Sequence, residues 1–70
     1  MKLQIDRDAD ALYLRLDENP IVESEEVAAG VILDLDAKNT VVGVEILNLS
    51  KRVSLPDLNK MTVETVGQAA

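Results

Sequence analysis

The residues of this chain whose types could do chemistry are acidic, and three of them are spaced so that a sheet would bring them together. Asp34 and Asp36 lie two positions apart, so an extended strand points both side chains to one face. Glu45 lies on the segment that returns after the next turn and would face them across a hairpin. Three such carboxylates could bind a divalent cation or share a proton with a raised pKa. They are candidate metal ligands, and the alternative is the solvated side of a sheet with basic counter-charges.

A second acidic group lies at the tip of the first apolar segment. Asp6, Asp8 and Asp10 have the spacing that opens an EF-hand calcium loop. The sixth position is Ala11, where that loop needs glycine for its sharp turn, and the residues that follow alternate as a strand. The segment is therefore interpreted as an acidic turn, in which a short carboxylate can bond its own backbone.

Catalysis and cofactor binding are disfavoured by the residue types that are missing. The chain has no His and no Cys, and its serines have no evident activating partner. Its three glycines form no phosphate-binding loop, and Gly43, inside a predicted strand, indicates a bulge or a close approach instead. We expect a protein that is not an enzyme and carries no cofactor.

The charge balance limits the classes of partner. A formal net charge of −6 opposes nucleic-acid binding, which depends on clustered Lys and Arg. The same charge would attract a basic protein partner. No run approaches the roughly 20 apolar residues of a membrane-spanning helix, and the opening MKLQIDRDAD has no apolar core of a signal peptide. We therefore expect no membrane partner and a cytoplasmic location.

The elements that must position these residues are two units in which alternating apolar runs flank an acidic turn. The first is LQIDRDADALYLRL and the second is VILDLDAKNTVVGVEIL, where Asn39 can adopt the positive φ of a tight turn. Between them, residues 21–27 predict a weak edge strand interrupted by acids, or alternatively a helical turn. The prediction is an α+β fold: a small antiparallel, meander-like sheet of two consecutive hairpins, four to five strands in all, with a short C-terminal helix.

The composition changes toward helix caps after the second unit. Residues 48–52 could form one helical turn, and Ser54 with Pro56 and Asp57 is typical of a helix start. The apolar spacing that follows predicts a helix of about 8–12 residues, diluted by β-branched residues. One domain over residues 1–66 and a frayed tail over 67–70 complete the prediction.

A domain of this size needs support beyond its own core, because about 70 residues rarely supply more than roughly 3–5 kcal/mol. Without Cys or His, neither a disulfide nor a thiolate or imidazole zinc site is available. We expect a homo-oligomer, with a dimer favoured. The predicted interface residues are Tyr13, the only aromatic residue, with Val41 and Leu47, which make the second face of the last strand apolar.

The segments IDRDADALYLRL, EEVAAGVILDLDAKNTVVGVEIL and NLS resemble the small bacterial and archaeal family called domain of unknown function 2283. The resemblance covers roughly residues 3–50. It implies a compact antiparallel sheet with a helical C-terminus, and a role as the neutralising partner of a small ribonuclease-type toxin. It brings no catalytic or binding residues with it.

Two functions are predicted from these observations. The first is a non-enzymatic interaction module that self-associates and binds a basic protein partner such as a toxin. The alternative is a domain that binds a divalent metal or small ligand through Asp34, Asp36 and Glu45.

Overall fold

The computed structural model describes residues 1–67, which form one five-stranded antiparallel sheet followed by two short helical turns. The order of strands across the sheet is β1-β2-β5-β4-β3. A 3₁₀ turn at Leu49–Lys51 and a single turn of α-helix, α1, at Leu55–Leu58 follow the last strand. The strands are β1 (Lys2–Asp6), β2 (Ala11–Arg15), β3 (Glu23–Ala28), β4 (Val31–Leu35) and β5 (Val41–Leu47).

Both strand pairs predicted from the alternating pattern are present, β1 with β2 and β4 with β5. Strand β3 pairs with β4, and β4 pairs with β5, all antiparallel. Strand β5 also pairs with β2, so it is not an edge strand. A simple meander would place β2 beside β3, so the predicted meander-like order is not confirmed. The weak segment before the second hairpin forms the edge strand β3 rather than a helical turn.

The connection from β2 to β3 crosses one end of the sheet. The amide of Leu16 donates to the carbonyl of Val42 at 2.8 Å, and the amide of Val22 donates to the carbonyl of Leu35 at 2.9 Å. Pro20 lies between these two anchors and has no amide hydrogen to leave unpaired. This crossing allows β5, the last strand in sequence, to occupy the centre of the sheet.

The tight turns use residues that tolerate left-handed backbone. Asn39 has φ 63, as predicted, and Asp10 has φ 52 at the end of the first turn. The carboxylate of Asp10 also accepts hydrogen bonds from the amide and the hydroxyl of Ser50, both at 2.8 Å. The acidic turn is therefore a structural anchor that joins the first hairpin to the 3₁₀ turn after β5.

The C-terminal helix is much shorter than the predicted 8–12 residues. Ser54 caps it by accepting a hydrogen bond from the amide of Asp57, yet α1 ends after four residues. Further along, the β-branched residues Thr62, Val63, Thr65 and Val66 disfavour a longer helix, because they lose side-chain freedom in it. Short helices also need packing, and Val63 and Val66 are 83% and 80% exposed. Residues 68–70 of the predicted frayed tail lie outside the described residues.

The two faces of the sheet differ in chemistry. Residues paired across the ladders share a face, and on one side nearly all of those from β1, β2, β4 and β5 are aliphatic. None of them is fully covered: Leu3 and Leu16 are 39% and 43% exposed, and the others are partly exposed. We call this set the apolar face: Leu3, Ile5, Leu12, Leu14, Leu16, Val31, Leu33, Val44 and Ile46. The opposite side, which carries Tyr13, Arg15, Ser24, Asp34 and Glu45, is the polar face.

The sheet is a single layer with a small buried core. Within residues 1–67 the buried apolar residues are Ala11, Leu35, Val42 and Leu49, and only Val42 is almost completely covered. The radius of gyration is 13.8 Å, against about 11 Å for a compact domain of this length. Stable domains usually pack two layers around a core, and the described residues by themselves form only one.

Candidate functional site

The centre of the polar face holds a buried carboxylate whose partners come from two other strands. Asp34 on β4 is 7% exposed. Its Oδ2 accepts a hydrogen bond from the Tyr13 hydroxyl at 2.8 Å, and its Oδ1 accepts one from the Ser24 hydroxyl at 2.6 Å. Burying a charge without partners would be costly, and two donors offset that cost. We call Asp34, Tyr13 and Ser24 the Asp34 cluster.

Tyr13 reaches Asp34 across the intervening strand because that strand carries a glycine. A Cβ added to Gly43 would lie 2.5 Å from the Tyr13 hydroxyl oxygen and 3.1 Å from Oδ2 of Asp34. The predicted close approach at Gly43 is therefore confirmed, and the approaching group is the tyrosine ring. The predicted bulge is also present, since the β4–β5 register shifts between Asp34 and Leu35. A guanidinium nitrogen of Arg15 lies 3.4 Å from the same hydroxyl.

Asp36, the second candidate metal ligand, organises the turn after β4. Its Oδ1 accepts hydrogen bonds from the amides of Lys38 and Thr40, each at 2.9 Å, and its Oδ2 accepts one from the side chain of Asn19 at 3.3 Å. The Thr40 amide, followed by the Lys38 amide, the Asn19 side chain and the Lys38 charge, lowers the pKa of Asp36 below its ordinary value, against the opposing effect of burial. The carboxylate therefore stays ionised and holds the turn closed.

The structure does not gather the three candidate ligands into one site. Asp34 accepts hydrogen bonds from two hydroxyls, and Asp36 accepts them from turn amides. Glu45 lies opposite Tyr13 on β2 and opposite Ile32 on β4 in the strand ladders. Among the residues that the structure describes, no three acidic, His or Cys side chains form a group that could hold a metal ion. Asp34 and Asp36 are instead used by the fold, each with its own set of donors.

The Asp34 cluster joins two hydroxyls to one carboxylate by hydrogen bonds. Both hydroxyls donate to Asp34, so each of the two carboxylate oxygens has one side-chain donor. Within residues 1–67, no buried side-chain nitrogen or oxygen lacks a partner. The buried polar side-chain atoms of the polar face therefore have their partners within the described residues.

The predicted interface residues do not form one surface. Leu47 pairs with Ala11 and lies on the polar face with Tyr13, whereas Val41 follows the register shift and pairs with Leu35 on the other side. The bulge separates them, because one extra residue in a strand reverses the alternation beyond it. Tyr13 also uses its hydroxyl within the chain.

The apolar face collects the alternating aliphatic residues of both hairpins, and the described part of the chain leaves it partly exposed. One row of it crosses the sheet from Leu3 through Leu14, Val44 and Leu33, because these residues pair in successive ladders. The alternating pattern revealed which residues share this side. It could not reveal that residues 1–67 provide no second layer to cover them.

No helix within the described residues is long and apolar enough to cross a membrane. Neither the search of curated proteins nor the search of solved structures returned a match to this chain. A family model does match, over residues 2–50, which include all five strands. The matched part contains the Asp34 cluster and the apolar face. The chain belongs to the family described as protein of unknown function DUF2283.

Proposed function

We propose that this protein is a non-enzymatic interaction module that works as a homodimer, with the apolar face of one copy packed on that of another. The observation that carries the proposal is the open apolar face on a chain with only four buried apolar residues among those described. Two sheets stacked face to face bury their inner side chains in a core about 10 Å thick. A second copy would supply the layer that the single chain lacks.

The exposed surface supports an interface of the required size. The chain exposes 5499 Å², whereas a compact monomer of this length exposes about 4,300 Å². Residues 60–67, all exposed, contribute part of the excess. If each copy buried about half of this excess area, the dimer would remove about 1,200 Å² from water in total, which is the lower end of the range for specific interfaces.

The electrostatic character of the dimer supports a second role for its exterior. The net charge of −6 per chain leaves an acidic surface, and on the outer side of the edge strand β3 it includes the exposed Glu26. Such a surface speeds encounter with a basic protein. We therefore include in the proposal a basic protein partner, such as the toxin suggested by the family resemblance.

The alternative function, divalent-metal or small-ligand binding, receives no support from the geometry of Asp34, Asp36 and Glu45. It stays a prediction with a simple measurement attached. A metal bound only by the folded state would raise the melting temperature by ligand linkage. Millimolar Ca²⁺, Mg²⁺ or Mn²⁺ would have to produce such a rise, and Asp34→Asn would have to abolish it.

The self-association proposal is tested by mass and melting together. We expect sedimentation equilibrium to give twice the chain mass at micromolar concentration. We also expect the melting temperature to rise by a few degrees for each tenfold increase in protein, because dissociation is coupled to unfolding. A monomeric mass together with a concentration-independent melt would contradict the proposal.

A further inference from the structure

We propose that the two copies stack with β3 of one lying over β1 of the other, related by a two-fold axis that runs parallel to the strands along β5. This inference rests on the proposed self-association and specifies its geometry. It follows from the register of the ladders and from the position of the charges at the two edges of the apolar face. Both are properties of the single chain.

The ladders place one residue of each strand at the same height. Leu3 pairs with Leu14, Leu14 with Val44, Val44 with Leu33, and Leu33 with Glu25. These five residues form a straight row across the apolar side, from one edge of the sheet to the other. Four of them are aliphatic, and the row ends in a carboxylate.

The two edges of the apolar face carry different charge. On β3, Glu23 and Glu25 pair with leucines of β4, so they lie on the apolar side, and both are exposed. On β1, the residues of that side are Leu3 and Ile5, which are neutral. One edge of the face is therefore negative and the other is aliphatic.

A two-fold axis can relate two stacked sheets in two ways. An axis across the strands would place β3 over β3 of the partner subunit and bring four glutamates into one strip. An axis parallel to the strands places each β3 over the β1 of the partner subunit and keeps the glutamate pairs at opposite edges. Like charges placed close together at an interface disfavour an arrangement, so the second axis is favoured.

The parallel axis also supplies a counter-charge. Successive ladder pairs put Lys2 level with Ser24, which lies between Glu23 and Glu25. An axis parallel to the strands preserves height, so Lys2 of each copy comes level with the gap between the two glutamates of the partner subunit. Lys2 begins on the other side of β1, and its long side chain can reach around the edge strand.

Cysteine crosslinking tests this arrangement, because the chain has no cysteine of its own. Leu3→Cys and Glu25→Cys are made as separate proteins, one with a tag that changes its mass, and refolded together. A bifunctional maleimide with a reach of about 10 Å, the distance between stacked sheets, is then added. Each variant is first shown to be folded and dimeric by circular dichroism and sedimentation.

The matched control uses the same two strands on the opposite face. Gln4→Cys and Glu26→Cys lie next to the tested positions and are also level with each other through the ladders. In a dimer formed by the apolar faces, these cysteines lie on the two outer surfaces. They measure crosslinking that results from collision alone.

We expect the mixture of Leu3→Cys and Glu25→Cys to give about tenfold more crosslinked heterodimer than the control mixture or either variant alone, since an isologous contact pairs one edge with the other. Equal or greater crosslinking of Glu25→Cys alone would overturn the orientation while leaving the apolar interface intact. Crosslinking of the control mixture only would overturn the choice of face while self-association stands. A monomeric mass at all concentrations would overturn the proposed function and this inference together.

Discussion

The polar and apolar faces of the sheet differ in whether the chain itself provides partners for the side chains that they carry. On the polar face the chain buries the Asp34 carboxylate and supplies both of its donors, Tyr13 and Ser24, from neighbouring strands. On the apolar face it gathers nine aliphatic residues and supplies no layer of its own to cover them completely. On the polar face the chain provides the partners of its buried carboxylate, and the apolar face is the surface on which we propose that a second copy packs.

The difference shows which requirement a small domain can meet alone. A buried polar group needs one or two directional partners, which a short sheet can place by register. An apolar face needs a second layer of comparable area, and 70 residues provide little chain for it beyond the five strands. Substitutions on the two faces should therefore separate dimerisation from the folding of the sheet.

The largest expected effect comes from a charge at the centre of the apolar face. Val44 lies on β5, the middle strand, so Val44→Lys would bury an unpaired ammonium at the heart of the dimer. We expect the dissociation constant of the dimer to rise by at least about 100-fold, since an uncompensated buried charge costs roughly 3–5 kcal/mol. Sedimentation equilibrium over a dilution series measures the change.

The matched control for that variant is Glu45→Lys, the next residue on the same strand. Glu45 pairs with Tyr13 and lies on the polar face, so its replacement adds positive charge away from the interface. We expect the control to remain dimeric. If both lysine variants dissociated equally, charge alone would explain the loss and the two-face comparison would fail.

The next largest effect is expected on the polar face, at Gly43. In Gly43→Ala the new methyl group would lie 2.5 Å from the Tyr13 hydroxyl oxygen, so the ring must move away from Asp34. Overpacking of this kind costs about 1–3 kcal/mol of unfolding free energy, measurable by urea titration at fixed protein concentration. Adding Tyr13→Phe removes the oxygen that the methyl meets, so the double variant should lose less than the sum of the two single changes.

A smaller effect is expected when only the hydroxyl of Tyr13 is removed. Tyr13→Phe keeps the ring over Gly43 but withdraws one of the two side-chain donors of the Asp34 carboxylate. Loss of a hydrogen bond to a charged group should cost about 1.5–3 kcal/mol if the group stays dry, and less where water replaces the donor. Because Asp34 is 7% exposed, we expect about 1 kcal/mol in urea unfolding. An unchanged stability would show that the cluster is not a structural one.

Local patterns were enough to predict much of this fold. The period-two runs predicted the strands of both hairpins, and Asn39 predicted the positive φ of the second turn. These features depend on residues close in sequence. The C-terminal helix was overestimated because its capping residues are real, whereas the tertiary contacts that would extend it are absent from the described residues.

The contacts of the site could not be predicted from the same patterns. The Asp34 cluster forms only because β5 pairs with β2, and this pairing depends on how the whole chain packs. Strict alternation predicts Val41 on the face of Leu47, and the bulge between Asp34 and Leu35 reverses that alternation. Register and long-range pairing, rather than residue type, decide these positions.

The smallest expected effect concerns the turn held by Asp36 and is best seen through pH. Asp36→Asn keeps an oxygen that can accept from the amides of Lys38 and Thr40 but removes the charge. Because these amides lower the pKa of Asp36 from its ordinary 3.8, the ionised form stabilises the fold above that value, and this contribution is lost as the pH falls through the lowered pKa. In urea unfolding, the wild type should therefore have a higher free energy of unfolding than the variant at pH 6, and the difference should shrink below about pH 4.

The control for this pH comparison is Asp8→Asn, at an exposed position in the first turn. It removes the same charge and should shift stability little at either pH, since surface substitutions usually change it by less than about 0.5 kcal/mol. A difference at Asp36 that stayed constant with pH would mean that the shape of the side chain, rather than its ionisation, holds the turn. The acidic residues of the β4–β5 connection would then be turn formers, and their charge would contribute only to the surface proposed to meet a basic partner.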